Sequence, residues 1–417
     1  MSTAGRGPRR ILVLSGGLIH LVHQLAVLRE LETRQAPRGG DHPGHPAAGG
    51  TSLGAARLDG QPERSRGVVM AAAAVGAASP AGRVAPTLIA VLITGVLTRN
   101  PAALAALQDR LEPWFERLRQ DGDGDLAGLQ LVREPRALPD GRWDLVCLNN
   151  QWQTNQRDWM ERLAIPELLV CGDGLGLYYR CARELRALLP SLLGQPIQEP
   201  GRRVRYVLSG RQPCWHRPPQ PAGAAPLAER RRLFALLVDS LRTQAEAELR
   251  ACLQVWEPDR PLWLCSVPNL AHQFPGERIA PAVLQRWLRH LERRHGFEPG
   301  RDRLLLLDHP KAPPDGSFGV LQQPWLAGPL RSSLPLEVLI ALLREARPEA
   351  AVRVCGMTSA LYGVHRLNGV TVVWLPLWPL WRHNPNYRRK PLEFLHRGLR
   401  LARMALLTGQ REPTGGG

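Results

Sequence analysis

The chain has 417 residues, 44% of them apolar, which suffices for two hydrophobic cores and excludes disorder of the whole chain. Its 54 Lys and Arg against 37 Asp and Glu give a net charge of +17, which predicts an anionic partner: nucleic acid, an acidic membrane face, or a phosphorylated or carboxylated substrate. The seven cysteines contain no C-x-x-C pair, which disfavours a zinc site and predicts buried free thiols in a reducing compartment.

Signals for export or membrane insertion are weak. The apolar run that follows the basic residues of the N-terminus is too short for a signal peptide. Residues 84–97 form the most apolar stretch, but a membrane span needs roughly 20 residues, and this stretch contains Pro86 and Gly95. We therefore expect a cytoplasmic protein, and the basic charge allows contact with the anionic inner face of the cell membrane.

The first half predicts a domain of alternating strands and helices. Residues 11–14 form a strand, Ser15 and Gly16 begin a glycine turn, and an amphipathic helix covers 18–31. Residues 35–66 lack a hydrophobic period and are expected to be a flexible insertion. The remaining elements are strands at 68–75, 88–97, 129–132, 143–148 and 167–171, and a helix at 100–119.

Two of these predicted strands end in candidate site residues. Four amides, Asn149, Asn150, Gln151 and Gln153, follow the strand at 143–148. They suit a hydroxyl-rich acceptor because each amide both donates and accepts hydrogen bonds, and a polar loop that caps the next helix is the alternative. Asp173, between Gly172 and Gly174, follows the strand at 167–171. It has the exposure of a general base, and an ordinary Asp-Gly turn is the alternative.

The second half predicts another α/β unit behind a connection. Residues 201–226 are basic and then proline-rich, and one long helix is expected over 227–255. The further elements are strands at 261–267, 304–308, 351–355 and 370–374, and helices at 281–295, 334–343 and 392–407. The predicted division is therefore an N-terminal domain over 1–210, a connection over 211–258, a C-terminal domain over 259–385, and a closing helix with a disordered tail over 386–417.

Three motifs of the second half suit a phosphate-bearing leaving group. His309 and Pro310 follow the four leucines of a buried strand, and a histidine can supply a positive charge or a proton to a departing phosphate. Thr358 and Ser359 follow another strand, where hydroxyl and N–H groups can hold an anion. Glu337 lies near the start of a helix that Ser332 or Ser333 is expected to cap. The alternative for Glu337 is a role in capping alone.

The order of these motifs resembles that of the bacterial sialyltransferases, most closely the polysialyltransferase and lipooligosaccharide sialyltransferase branch. Gly-Asp-Gly, His-Pro, Pro-x-Glu and Thr-Ser follow one another along the chain, and the opening strand with its Ser-Gly-Gly turn also fits. The resemblance implies a GT-B-like α/β fold, in which two Rossmann-type domains with parallel sheets face a central cleft. It also implies a CMP-sugar as donor substrate, no metal and no further cofactor.

The resemblance also implies roles for single residues. Asp173 would be the base that deprotonates the acceptor, and His309 the acid or electrostatic partner of the CMP phosphate. Where the family has a second carboxylate before this aspartate, the chain has Gly172. Asn149, Asn150, Gln151 and Gln153 remain the expected acceptor contacts. The expected donor-binding residues are Ser15, Gly16, Pro310, Glu337, Thr358 and Ser359.

The resulting expectation is an inverting transferase that moves sialic acid, or a related nonulosonic acid, to a glycan acceptor in capsule or lipooligosaccharide synthesis. One alternative is a GT-B enzyme that uses a nucleotide-diphosphate sugar. Another is a noncatalytic nucleic-acid-binding protein, which is disfavoured because most tryptophans lie in apolar contexts. Residues 374–389 combine tryptophans with arginines and predict either a membrane-surface patch or part of the core followed by a linker.

Overall fold

The computed structural model of the chain contains two parallel sheets. The described residues are 9–35, 87–94, 101–121, 126–149, 156, 159–160, 162–163, 167–172, 203–208, 226–257, 259–268, 278–309, 316–318, 323–332, 334–358, 360–365, 367–389 and 391–408. The strand predicted at 68–75 and residues 36–66 of the predicted insertion lie outside them. So do six of the predicted site residues: Asn150, Gln151, Gln153, Asp173, Pro310 and Ser359.

The first sheet has six strands, and every neighbouring pair runs parallel. They are β1 (Arg10–Ser15), β2 (Leu88–Ile93), β3 (Leu129–Val132), β4 (Leu145–Leu148), β5 (Glu167–Gly172) and β6 (Arg203–Leu208). The order β3-β2-β1-β4-β5-β6 is that of a doubly wound nucleotide-binding unit, so the strand order reverses between β1 and β4. Most of these strands are nearly continuous apolar runs because helices cover both faces of such a sheet.

Helices α1 (Leu18–Gln35) and α2 (Pro101–Gln120) belong to this half. Pro101 is the first residue of α2, where its missing N–H group costs no helical hydrogen bond. Trp114 and Phe115 of α2 are fully buried, and their rings meet edge to face with centroids 5.7 Å apart. The helix predicted at 100–119 and the strands predicted at 11–14, 129–132, 143–148 and 167–171 agree with the structure within two residues at each end, whereas the strand predicted at 88–97 ends at Ile93.

Strand β6 lies in the basic stretch just before the predicted connection. The stretch RVRYVL begins with alternating basic and apolar residues, which is itself a strand signal, and it was overlooked because a proline-rich segment follows it. Arg205 is accommodated because its Nε lies 2.6 Å from the Glu167 carboxylate on the neighbouring β5. The strand was not predicted, but it lies within the predicted N-terminal domain over 1–210 and before the connection predicted over 211–258.

The single long helix predicted over 227–255 is also wrong. The chain forms α3 (Leu227–Leu241) and α4 (Glu246–Val255), separated by a 3-10 turn at Thr243–Ala245. Helix α3 contacts α1 and α2, where Arg29 lies 3.2 Å from Glu229. Helix α4 contacts the second sheet instead. The apolar residues of α3 and α4 thus pack mainly against different halves, and the helical hydrogen bonding is interrupted between them.

The second sheet has five strands, again parallel throughout. They are β7 (Leu262–Ser266), β8 (Leu304–Asp308), β9 (Leu326–Arg331), β10 (Val352–Gly356) and β11 (Val370–Trp374). The order β11-β10-β7-β8-β9 repeats the winding of the first sheet, with the reversal between β7 and β10. The chain is thus a mixed α/β protein with two Rossmann-like units, as predicted at this level.

The helices of this half are α5 (Pro281–His295), α6 (Leu336–Ala346), α7 (Ala360–Val364), α8 (Trp378–His383), α9 (Pro385–Arg388) and α10 (Pro391–Thr408). Strand β9 was not predicted because Gly328 and Pro329 interrupt its sequence. The expected serine cap of α6 is wrong. Pro335 occupies the N-cap position, while the hydroxyl of Ser332 accepts the N–H of Leu334 at 3.1 Å.

The described cysteines confirm the prediction of buried free thiols. They are Cys147, Cys171, Cys252, Cys265 and Cys355. Burial raises the pKa of Cys252 to about 12, and it also raises the pKa of Cys171 and of Cys355. Cys181 and Cys214 lie outside the described residues. Among the helices that the structure describes, none combines the length and hydrophobicity needed to cross a membrane.

Candidate functional site

Three adjacent strands of the second sheet end in polar side chains, at the point where the strand order reverses. Ser266, the last residue of β7, is paired with Leu307 on β8 and with Gly356 on β10. His309 and Thr358 each follow two residues beyond those partners. The Oγ of Ser266 lies 3.4 Å from the Oγ1 of Thr358. Ligands of open α/β sheets bind beyond the carboxyl ends of the strands at this point, so these residues form the candidate site.

Gly356 allows β7 and β10 to approach each other below the site. A Cβ atom on Gly356 would lie 2.7 Å from the carbonyl oxygen of Ser266 and 3.3 Å from its Cβ. Any side chain at this position would therefore push the ends of the two strands apart. Gly356 thereby keeps the ends of β7 and β10 close enough for the hydroxyls of Ser266 and Thr358 to lie 3.4 Å apart.

Glu337 reaches the same corner of the sheet from α6. A Cβ atom on Gly363 of α7 would collide with Oε1 of Glu337 and would lie 3.2 Å from its Cγ and Cδ. Helix α7 begins beside Thr358, because the N–H of Leu361 donates to the Thr358 carbonyl at 3.3 Å. The predicted residues Glu337 and Thr358 are thus both brought to α7, and Gly363 provides the space for the carboxylate.

His309 is exposed and directly follows the buried Asp308 in the sequence. Asp308 is 4% exposed, and its Oδ2 accepts the N–H of Ser317 at 3.0 Å. The carbonyl of Ser317 in turn accepts the N–H of Ile279, just before α5, at 2.8 Å. Asp308 therefore ties the two ends of the loop that begins with His309. Sequence reasoning missed this residue, although a carboxylate at the end of four buried leucines is a signal that could have identified it.

The second oxygen of Asp308 faces a restricted space. Within the described part of the chain, Oδ1 is buried and has no hydrogen-bond partner. A small pocket beside it is lined by Ser317, Phe318, Gly328 and Pro329 among others. A buried carboxylate oxygen with a neighbouring pocket has room for a water molecule or an N–H group as its partner.

Three predicted residues of the first half, Ser15, Gly16 and Asn149, lie at the corresponding point of the first sheet. The Oδ1 of Asn149 accepts the N–H of Gly16 at 2.8 Å. It also accepts a hydrogen bond from Gln156, which reaches the Thr94 hydroxyl at 3.1 Å. Ser15 is fully buried, and its hydroxyl donates to the carbonyl of Gly17 at 3.0 Å. This network ties the ends of β1, β2 and β4 together.

These contacts separate the predicted donor residues into two groups. Ser15 and Gly16 belong to the first sheet, whereas Glu337 and Thr358 belong to the second. The Gly16 N–H and the Ser15 hydroxyl are both engaged within the protein. Contact of Ser15 and Gly16 with the donor substrate therefore stays a prediction. It would require the substrate to replace these two internal hydrogen bonds. Asn149 is half-buried and is the described member of the predicted acceptor set.

The site of the second sheet combines two hydroxyls, an exposed imidazole and a carboxylate. Hydroxyls donate to phosphate oxygens, and an imidazolium neutralises charge or supplies a proton. A carboxylate accepts hydrogen bonds from sugar hydroxyls. Within the described ranges, no group of three or more His, Cys, Asp or Glu side chains is placed to hold a metal ion. Comparison of the chain with protein-family models, with curated proteins and with solved structures finds no match.

Proposed function

We propose that the chain is an inverting, metal-independent glycosyltransferase that moves sialic acid, or a related nonulosonic acid, from a CMP-sugar to a glycan acceptor. In this proposal the two sheets face a central cleft in the GT-B manner. The enzyme works in the cytoplasm in capsule or lipooligosaccharide synthesis. The observation that carries the proposal is the contact between Ser266 and Thr358 at the reversal point of the second sheet, with His309 at the end of the neighbouring strand β8.

The donor phosphate would lie at this point. Ser266 and Thr358 would donate hydrogen bonds to its oxygens, and bonds to charged acceptors are among the stronger ones. Ser266 extends the predicted phosphate set, since sequence reasoning considered Thr358 and Ser359 instead. Glu337 would accept hydrogen bonds from ribose hydroxyls. Ser359 and Pro310, which lie outside the described residues, keep their predicted donor contacts.

The reaction would be a single displacement. Asp173 takes the proton of the acceptor hydroxyl, whose oxygen attacks the anomeric carbon as the bond to the CMP phosphate oxygen breaks. His309 stabilises or protonates the departing phosphate, where negative charge develops in the transition state. A monophosphate leaving group develops less charge than a diphosphate, which supports catalysis by these side chains without a cation. Asn149, Asn150, Gln151 and Gln153 would orient the acceptor.

Donor screening tests the proposal. The full chain is incubated with CMP-sialic acid and with a panel of UDP-sugars, and release of CMP or UDP is measured with and without glycan acceptors. We expect CMP release that depends on acceptor, and a loss of about 100-fold or more in His309→Ala, because a positioned acid contributes that much. His295→Ala at the end of α5 is the matched control and should keep the wild-type rate.

Three results would contradict the proposal. Release of UDP without release of CMP would assign the chain to the class of enzymes that use nucleotide-diphosphate sugars. Wild-type turnover in a folded His309→Ala variant would remove the histidine from the chemistry. Salt-resistant binding to DNA, together with no turnover of any donor, would favour a nucleic-acid-binding protein instead.

A further inference from the structure

Helix α10 packs one of its faces onto the second sheet. Leu401 and Met404 are buried, and the indole N–H of Trp374 at the end of β11 donates to the Thr408 hydroxyl at 2.9 Å. The ring of Phe394 lies 4.6 Å, centroid to centroid, from that of Trp381. These contacts fix the rotation of the helix, so its outward residues are defined.

A second row of apolar residues on α10 faces away from the protein. Leu395, Leu399 and Leu406 are 58%, 41% and 75% exposed. Because a helix advances 100° per residue, these positions fall within about 40° of one another around the axis and extend for about 16 Å along it. Three exposed leucines on one side of a helix differ from the scattered apolar residues of an ordinary surface, and such rows mark binding surfaces.

Trp378 is a further exposed apolar residue, in a segment that packs against α10. Its indole is 62% exposed at the start of α8. The preceding Leu377 touches α10 at Gly398, where a Cβ atom would lie 3.7 Å from the leucine side chain. Gly398 lies between Leu395 and Leu399 in the sequence, so Trp378 directly follows a residue that contacts this part of α10. Of the membrane patch predicted at 374–389, Trp374 and Tyr387 cannot contact a membrane because they are buried, whereas Trp378 is exposed.

The surroundings of the row are strongly basic. Residues 375–408 contain seven Arg and Lys and one acidic residue, Glu393. Arg382, Arg388 and Arg389 are exposed, and none of the three forms an ion pair with another described residue. The exposed leucines and indole therefore adjoin cations that are available to an anionic partner.

We propose that Trp378, Leu395, Leu399 and Leu406, together with Arg382, Arg388 and Arg389, form a surface that docks on an anionic lipid bilayer; we name it the α10 surface. Helix α10 lies in the plane of the interface, its leucines enter the acyl boundary, the indole sits at headgroup level, and the arginines contact lipid phosphates. This proposal does not depend on the glycosyltransferase activity, because neither the donor nor the acceptor residues belong to the surface.

Charge favours a bilayer over a second copy of the chain. In a two-fold dimer the same patch meets itself, so the arginines of one α10 surface would face those of the other. Four apolar side chains also fall short of the roughly 800 Å² per partner that a stable protein interface buries. A bilayer that contains anionic lipid provides both an apolar layer and phosphates at the matching depth.

Co-sedimentation of the full chain with vesicles tests the α10 surface. One vesicle type is phosphatidylcholine alone, and the other contains equal parts of phosphatidylcholine and phosphatidylglycerol. We expect binding to the anionic vesicles, weak binding to the neutral ones, and a loss of binding at high salt. The triple variant Leu395→Ser, Leu399→Ser and Leu406→Ser should bind at least about tenfold more weakly, since it loses the buried apolar area.

Matched substitutions outside the α10 surface test whether vesicle binding depends on this surface or only on the total charge and exposed apolar area of the chain. Leu227→Ser removes a leucine that is 47% exposed at the start of α3, and it should leave binding unchanged. Charge reversal of Arg382, Arg388 and Arg389 to Glu should abolish binding. The same change at Arg117, Arg136 and Arg142, which are exposed in the first half, should have a smaller effect. All variants should keep the wild-type thermal midpoint because the changed side chains are exposed.

Several outcomes would overturn the proposal. Absence of wild-type binding to anionic vesicles is one, and equal binding of the leucine variant is another. A wild-type dimer that becomes monomeric in the leucine variant, without vesicle binding, would assign the surface to a second copy. Binding to polyglutamate but not to vesicles would assign it to an acidic protein partner.

Discussion

The hydroxyl oxygens of Ser266 and Thr358 lie 3.4 Å apart where β7 and β10 end side by side. Both side chains emerge from buried strands, so their positions are set by the sheet. Two hydroxyls at this separation can donate to different oxygens of one phosphate. Their pairing makes the phosphate-binding part of the proposed function testable without knowledge of the acceptor.

Removal of either hydroxyl should weaken the binding of CMP. Ser266→Ala and Thr358→Val each remove one donor to a charged acceptor, which predicts a loss of about tenfold in affinity per substitution. Isothermal titration calorimetry with CMP measures this directly. Ser240→Ala in α3 removes a hydroxyl that bonds only within its own helix, to the Leu236 carbonyl, and is the matched control. Unchanged affinity in the double variant would exclude a phosphate at this position.

Gly363→Ala should lower the affinity for CMP without lowering the free energy of unfolding appreciably. The added methyl group would displace the Glu337 carboxylate, whereas alanine improves the propensity of the helix by about 1 kcal/mol over glycine. We therefore expect a free energy of unfolding within about 1 kcal/mol of wild type, and CMP affinity lowered as much as by Glu337→Gln. Gly300→Ala, where the Cβ has open space, should change neither quantity. Normal CMP binding by Gly363→Ala would show that Glu337 does not contact the nucleotide.

Asp308→Ala should destabilise the second half. The substitution leaves the N–H of Ser317 without its acceptor in a buried site, which costs about 1–3 kcal/mol. Asp308→Asn keeps an oxygen acceptor and should cost less. The measurement is the free energy of unfolding in urea, with Asp259→Ala at an exposed position as control. If Asp308→Ala is as stable as Asp259→Ala, the hydrogen bond between Asp308 and the N–H of Ser317 does not stabilise the fold.

His290 should make the fold less stable in mild acid. Burial in α5 lowers the pKa of His290, and the nearby Arg294 lowers it further. The unfolded chain therefore binds a proton at this residue near pH 6.5, while the folded chain does so only at lower pH. Stability from this residue is complete above that pH, falls as the pH decreases through it, and levels off below the pKa of the folded state.

Urea unfolding at several pH values between neutral and mildly acidic conditions measures this dependence. His290→Gln should reduce the slope of the free energy of unfolding against pH. The ring of His295 lies 5.1 Å from that of His290, so His295→Gln is needed as the second variant. A slope that depends on His295 and not on His290 would contradict the assignment.

The sequence-based predictions succeeded where one local signal dominated. Four consecutive leucines bounded by Arg303 and the His309-Pro310 pair leave no alternative to a buried strand, and β8 has the predicted bounds. Strand β9 was missed because a Gly-Pro pair interrupts its apolar pattern, and β6 was missed because its alternating pattern stands beside a proline-rich segment. Their strand conformation depends on neighbours elsewhere in the sequence, such as Glu167 beside Arg205. Such pairing cannot be read from the local sequence.

The candidate site was predictable in part for the same reason. His309 and Thr358 stand directly after strands, so their place at the sheet edge follows from the strand assignment. Ser266 looked like an ordinary strand end until β10 was placed beside β7. Asp308 gained its role from Ser317, nine residues further on and across a loop. These roles come from contacts between segments, which spacing along the chain does not reveal.

The irregular course of β9 has a consequence for the behaviour of the protein at high concentration. This strand forms one edge of the second sheet, and its register against β8 shifts between Leu305 and Leu307. Pro329 has no N–H group that could donate to another strand. The neighbouring Gly328 is exposed and lies where the register shifts. An edge with these features is a poor template for a strand of another molecule, so this edge of the sheet is protected from edge-to-edge aggregation.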